Sequence, residues 1–197
     1  MVHQSVHKMI MKIPDHCKVL DLTQNYDPVA LQNFVDNGGW GIGGYMENRK
    51  EMYTAPHFGN RRKVHMGIDI WATAGEPVFS PLDGKLVYKQ YHQDPGNYGG
   101  TIVLAMNFEG ETFYALYGHL SRDSVDMAEI GKEIRAGEEI GRLGDFDENG
   151  NWPPHLHFQI SVKDPGEADM PGVVAEEETE SASIIYPDPR NILGPIY

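Results

Sequence analysis

Three short stretches of the sequence concentrate imidazole and carboxylate groups: VHMGIDI with His65 and Asp69, YGHLS with His119, and PPHLHFQI with His155 and His157. Neutral imidazole and carboxylate are ligands that zinc accepts in tetrahedral geometry, and a catalytic zinc keeps three protein ligands with one position open for water. Five candidates exceed three. The surplus imidazoles are what hydrolysis requires, because a metal polarises a carbonyl and activates water while protons must still be moved to the leaving group. Histidine, which titrates near neutrality, suits that task.

The spacing supports convergence. In an extended segment side chains alternate faces, so His155 and His157 point the same way and Leu156 points into the core. His65 and Asp69 are separated by an even number and share a side if their segment is extended, with Gly67 relaxing the backbone between them. Each stretch has a bland reading of its own. An HxH pair can be a half-exposed sheet face, HxxxD arises by chance, and His119 beside Tyr117 can be a hydrogen-bonded core residue. Together they point to one site. Because ligation needs deprotonated imidazole, metal binding and activity should fade as pH falls through the histidine range.

The elements that must position these residues are strands. From Tyr45 onward, β-branched and aromatic runs alternate with turn signals at Asp83-Gly84, Glu109-Gly110, Asn149-Gly150 and the PGNYGG stretch. EPVFSPLDGKLVYKQY and TIVLAMNFEGETFYALYGHL both read as hairpins, with a tight-turn residue midway between strand-like runs. GKEIRAGEEIGRLGD, with glycines at 131, 137, 141 and 144, excludes a helix and suggests tightly turning strands. Before Tyr45 one helix is signalled, with Asp27 as N-cap, Pro28 at the first helical position, Leu31, Phe34 and Val35 as its apolar face, and Gly38-Gly39 as its stop. After Val162 a Gly-, Pro- and Glu-rich stretch with Glu176, Glu177, Glu178 and Glu180 reads as a surface loop, and the apolar residues of PDPRNILGPIY are expected to dock on the core. The resulting plan is an N-terminal extension over 1–50, a catalytic domain over 51–164, and an acidic loop and tail over 165–197.

Composition bounds the partners. A chain of 197 residues with 40% hydrophobic and 23% charged content is expected to fold as one domain. A net charge of −13 opposes binding to nucleic acid and repels anionic membrane surfaces. Cys17 is single, so no intramolecular disulfide is possible. The apolar stretch Met9–Met11 is too short for a signal-peptide core and no segment approaches a membrane span, so the expected location is cytoplasmic.

HxGxD followed by a strand, then YGHLS, then PHLHF, in this order over about Tyr53 to Ile160, resembles the M23-type (lysostaphin/LytM-like) zinc metallopeptidases. The resemblance implies that His65, Asp69 and His157 are the zinc ligands and that His119 and His155 are the catalytic histidines. It also implies an all-β fold, a β-sandwich or barrel-sandwich hybrid core here preceded by a short helical N-terminal extension, with zinc in a groove. The implied activity is endopeptidase cleavage of glycine-containing peptides or peptidoglycan fragments. GDFDENGNWPPHLHF departs from the small-residue loop of wall hydrolases. In that stretch, and in PGNYGGTIV, the chain is more similar to M23-type modules fused to kinase-like and class III aminotransferase-like domains.

Other residues carry less. Trp152 and Pro153 could line the groove rim, Arg61, Arg62 and Lys63 could meet a substrate carboxylate, and His57 and Asn60 could approach the metal, although an exposed loop or a packing anchor explains each. His3, His7, His16 and His92 have no partner pattern. Three rival readings compete: a metal-free M23-like regulatory module, a biotinyl/lipoyl-like carrier, and a cupin-like metal enzyme. The intact ligand set opposes the first, the absence of a hairpin-tip lysine the second, and the absence of a glutamate between Phe158 and Lys163 the third.

Overall fold

The computed structural model describes residues 9–197. Strands dominate, as the alternating apolar runs require. In chain order the described elements are β1 (Lys18–Val19), α1 (Pro28–Asp36), β2 (Gly41–Gly43), β3 (Arg62–His65), β4 (Ile68–Trp71), β5 (Pro77–Phe79), β6 (Gly84–His92), β7 (Gly99–Phe108) and β8 (Glu111–Leu120). These are followed by α2 (Arg122–Met127), β9 (Glu133–Ile134), β10 (Glu139–Arg142), β11 (His155–Ser161), β12 (Val173–Ala175), α3 (Thr179–Ile185) and α4 (Arg190–Leu193). One eight-stranded sheet runs β1-β2-β4-β11-β8-β7-β6-β9, and two-stranded sheets pair β10 with β5 and β12 with β3. Every pairing is antiparallel except β1 with β2.

The period-2 pattern decides which face of the large sheet does what. Ile68 and Ile70 of β4, Leu156, Phe158 and Ile160 of β11, and Ile102 and Leu104 of β7 join one apolar cluster. Val78 of β5, Leu143, Ile10 and Met11 near the N-terminus, and Ile192 and Leu193 of α4 belong to it as well. The C-terminal residues therefore dock on the core as expected. The intervening residues Asp69, His155, His157 and Gln159 face the other way and are all buried. That second face is covered at one end by a cluster that includes Leu31 and Val35 of α1 with Met52, Tyr53 and Phe58. At the other end Ala168 and Met170 pack on Val103 and Leu116.

Helix α1 forms where its caps predict: Asp27 Oδ1 accepts hydrogen bonds from the Val29 and Ala30 amides, Pro28 opens the helix, and Gly38 adopts a φ of 76° just beyond it. The Glu109-Gly110 hairpin also forms, joining β7 to β8. The Asp83-Gly84 hairpin does not. β6 pairs with β7 and β9, whereas β5 pairs with β10 in another sheet. Four residues separate β5 from β6, and Pro81 among them lacks the amide that a continuing ladder needs. The acidic run is also not a loop: Glu176–Glu178 forms a 3-10 turn leading into α3, preceded by β12 on β3. Edge pairing and burial of Ala182 give that segment the apolar support its composition concealed. Helix α2 was likewise unanticipated; Ser121, the last residue of YGHLS, caps it by accepting from the Ser124 amide.

Candidate metal centre

The strand registers place Asp69 opposite His157, and His155 opposite Trp71. His65 ends β3 and turns back toward Asp69 through Met66-Gly67. Gly67 matters there for clearance: a Cβ at this position would sit 2.6 Å from Cε1 of His157. His119 reaches the same side against the alternation of its strand. Tyr117 lies in the core, so two residues on His119 should too, but the β7–β8 register slips between Gly100 and Ile102 and gives β8 one extra residue. His119 takes a φ of 63°, and Leu120 returns to the core. A buried non-glycine residue in that region stores strain on the order of 1–3 kcal/mol, and such strain concentrates at functional sites.

All five predicted residues are buried and line one cavity of ≈ 550 Å³. His65 Nε2 lies 3.2 Å from Asp69 Oδ1, His157 Nδ1 lies 3.0 Å from the same oxygen, and the two nitrogens are 3.0 Å apart. The rings of His119 and His155 adjoin, with centroids 4.1 Å apart, and His155 stacks on Trp71 at 3.9 Å. His155 Nε2 is 4.0 Å from Asp69 Oδ1, so the pair borders the triad without joining it.

Each ring is oriented by an oxygen acceptor. His65 Nδ1 lies 2.9 Å from Gly44 O, His119 Nδ1 2.8 Å from Asn149 O, and His155 Nδ1 2.8 Å from Pro153 O. His157 Nε2 lies 3.0 Å from Gln159 Oε1. Carbonyl oxygen only accepts, so in each case the ring nitrogen donates and the neutral ring's second nitrogen is a bare lone pair aimed into the cavity.

That assignment tests whether a metal fits. Two lone pairs and a carboxylate oxygen at 3.0–3.2 Å repel one another unless a cation lies among them. An ion bonded tetrahedrally at 2.0–2.1 Å holds its ligand atoms about 3.3 Å apart, close to the observed separations. His65, Asp69 and His157 could hold a metal ion.

The electrostatics agree. Burial pushes the His65 imidazolium down to about 4, aided by the Arg49 charge and opposed by Asp69. Burial likewise lowers His155 to about 4, and burial together with His155 holds His119 well below the ordinary range. Burial alone would raise Asp69, but the neighbouring His65 and the Arg49 guanidinium hold it well below the usual carboxylate value. At neutral pH His65, His119 and His155 are therefore neutral and Asp69 is ionised, the protonation state that metal binding requires.

The remaining candidates divide. Trp152 and Arg62 line the cavity, whereas Pro153 contributes its carbonyl to His155. Arg61 is exposed and pairs with Glu177, and neither Lys63 nor the exposed Asn60 reaches the cavity wall. His16 is exposed, and His92 lies 3.2 Å from Ala168 O. His3, His7 and the side chain of His57 lie outside the described residues. Two residues whose side chains hydrogen-bond to the triad were missed. Gln159 was legible, being two positions beyond His157 on the same face of one strand. Arg49, whose Nη1 donates to Asp69 Oδ2 at 2.5 Å, had no spacing signal at all.

The family model for peptidase family M23 matches residues 63–169, more than half of the chain and inclusive of all five candidates. The chain belongs to peptidase family M23. This M23 chain is 27% identical over 131 residues to an uncharacterized metalloprotease of Haemophilus influenzae, covering 63% of the chain and 26% of that protein. It is 30% identical over 113 residues to the peptidoglycan DD-endopeptidase ShyC of Vibrio cholerae (55% and 24% covered). Against the DD-carboxypeptidase/endopeptidase Mpg of Neisseria meningitidis it is 32% identical over 100 residues (51% and 20% covered). It thus spans about a quarter or less of the length of these curated relatives. Among solved structures it is similar to a zinc-containing peptidase from Vibrio cholerae, at 28% identity and TM-score 0.45, with 59% of this chain and 31% of that one covered. The catalytic domain of lysostaphin from Staphylococcus simulans aligns at 23% identity and TM-score 0.45, with 80% and 99% covered.

Proposed function

We propose that this M23 chain is a zinc-dependent endopeptidase that hydrolyses amide bonds in glycine-containing peptides or peptidoglycan-type fragments. The observation that carries the reading is the mutual approach of His65 Nε2, His157 Nδ1 and Asp69 Oδ1 to within 3.0–3.2 Å of one another. Zinc held by these three would supply a Lewis acid for the scissile carbonyl and activation of water. The rest is work for the chain's own groups. His155 Nε2, a bare lone pair on a ring immobilised by Trp71 and Pro153 O, accepts a proton from water in the cavity. His119, in ring contact with His155 and with its Nδ1–H held by Asn149 O, presents a second bare Nε2 that can take up a proton released by that water and return it to the departing nitrogen. Tyr53, Tyr98 and Trp152 wall the cavity and limit bulk water around these groups.

A wall-derived substrate is supported by the similarity to a peptidoglycan DD-endopeptidase of Vibrio cholerae and a DD-carboxypeptidase/endopeptidase of Neisseria meningitidis. A second reading, hydrolysis of an amide outside the cell wall, is favoured by the loops carrying PGNYGG and GDFDENGNW, the stretches more similar to M23 modules fused to kinase-like and aminotransferase-like domains. Those loops lock together beside the site, with Trp152 Nε1 donating to Asn97 O at 3.2 Å and Gly96 N to Gly150 O at 2.8 Å.

The test is metal analysis of the purified protein followed by mass spectrometry of zinc-loaded protein incubated with peptidoglycan fragments and with soluble glycine-containing peptides. New amine termini in either set support the hydrolase. Cleavage of soluble peptides alone selects the second reading. Protein that takes up no zinc from micromolar solution overturns the proposal in favour of a regulatory module.

A further inference from the structure

The acidic ligand of the candidate centre has a partner on each oxygen. Asp69 Oδ1 faces the imidazoles, while Oδ2 accepts from Nη1 of Arg49, a guanidinium with no solvent exposure. A buried cation beside a site for a dication is electrostatically unfavourable unless it is paired and hydrogen-bonded. Arg49 is both. Its Nε donates to Glu47 Oε2 at 2.8 Å, and Nη1 also donates to the Tyr53 hydroxyl at 3.1 Å. Glu47, Arg49 and Asp69 sum to one negative charge when ionised, so the guanidinium does not leave the site positive.

The backbone is arranged to deliver this group. The segment 46–49 runs alongside β3, with Met46 N donating to His65 O, His65 N to Glu47 O, and Arg49 N to Lys63 O at 2.8–3.0 Å. Gly43, opposite Asp69 in the β2–β4 register, leaves the space: a Cβ there would lie 2.5 Å from Arg49 Nη2. Gly43, Glu47 and Arg49 lie outside 63–169, the span that the family model matches.

We infer that Arg49 is a positioning residue for the metal ligand Asp69. It occupies Oδ2 and so presents the carboxylate through Oδ1 alone, completing a three-ligand set with one open position. The inference rests on the metal reading above. A fork-shaped donor is needed because the group must bind Glu47 through Nε while Nη1 reaches Asp69, a geometry an ammonium lacks.

The test uses the full chain carrying Arg49→Met and Arg49→Lys, with zinc affinity measured by chelator competition and the visible spectrum recorded after cobalt(II) substitution. Arg49→Met is expected to lose roughly 10–100-fold in zinc affinity, the usual consequence of removing a partner of a metal ligand. Its cobalt bands should weaken as the freed Oδ2 raises the coordination number. Arg49→Lys should recover part of the affinity and little of the spectrum. Wild-type affinity and spectrum in Arg49→Met would overturn the inference. So would tighter binding, which would make Arg49 an electrostatic counterweight. If Arg49→Met does not fold, Glu47→Gln, which loosens Arg49 without removing it, should lower affinity several-fold, and unchanged affinity there overturns the inference too. Failure of the wild-type protein to bind zinc would instead sink the metal reading on which it rests.

Discussion

His65 Nε2 and His157 Nδ1 face each other at 3.0 Å although the proton of each ring is held on its far nitrogen, by Gly44 O and by Gln159 Oε1. Two lone pairs this close, with Asp69 Oδ1 beside both, make the folded chain itself a preorganised cation receptor. The consequences can be measured.

Zinc should stabilise the fold by mass action. At free zinc a hundredfold above the dissociation constant, a site absent from the unfolded chain adds about 2.7 kcal/mol. For a chain of this size that corresponds to a rise in Tm of roughly 5–10 °C. Calorimetry with and without chelator checks this, and identical transitions would argue against a site at His65, Asp69 and His157.

Gln159 should matter for affinity while lying outside the ligand set. Gln159→Leu removes the acceptor that keeps the His157 proton on Nε2, so zinc affinity should drop roughly 10–100-fold. Gln159→Glu retains an acceptor and should stay near wild type. Equal affinities for the Leu and Glu variants in chelator competition would count against the tautomer assignment.

His119 should separate binding from turnover. His119→Asn suits the left-handed backbone at this position, because Asn tolerates positive φ. Zinc affinity should hold while kcat falls about 10²–10⁴-fold, the range for losing a general acid or base. Full activity in a zinc-loaded His119→Asn protein would remove the role proposed for this ring.

The metal-stripped protein should lose stability as pH falls from 6.5 toward 4. His65 and His155 have folded values near 4, below the unfolded reference of about 6.5. In that window the unfolded chain binds more protons, so stability is fully present above the unfolded value and declines as pH falls, by at most about 1.4 kcal/mol per pH unit per ring. Urea titrations of chelator-treated protein between pH 7 and 4 check the slope. A flat midpoint across that range would mean the rings are not buried neutral.

Much of the site was legible because a strand carries its own period. His155, Leu156, His157, Phe158 and Gln159 sort onto two faces of β11 by alternation alone, and α1 announces itself through Asp27, Pro28 and Gly38. Alternation failed at His119, where a bulge and a left-handed residue reverse the expected face. It failed again at EPVFSPLDGKLVYKQY, because turn residues between two strand-like runs do not say whether those runs pair with each other or with strands distant in sequence. Glu176–Glu180 was misread for a related reason: composition reports local polarity and is blind to the support given by β12 on β3.

From the chain alone came the donor types, their order, and the sharing of one strand face by His155 and His157, since residue identity and local backbone period are properties of neighbours in sequence. The meeting of His65 with His157, the return of His119 to the cavity, and the reach of Arg49 to Asp69 were decided by tertiary structure. Those contacts join residues 20 to 92 positions apart, and distances across such separations are set by strand register, bulges and packing, none of which a local pattern encodes.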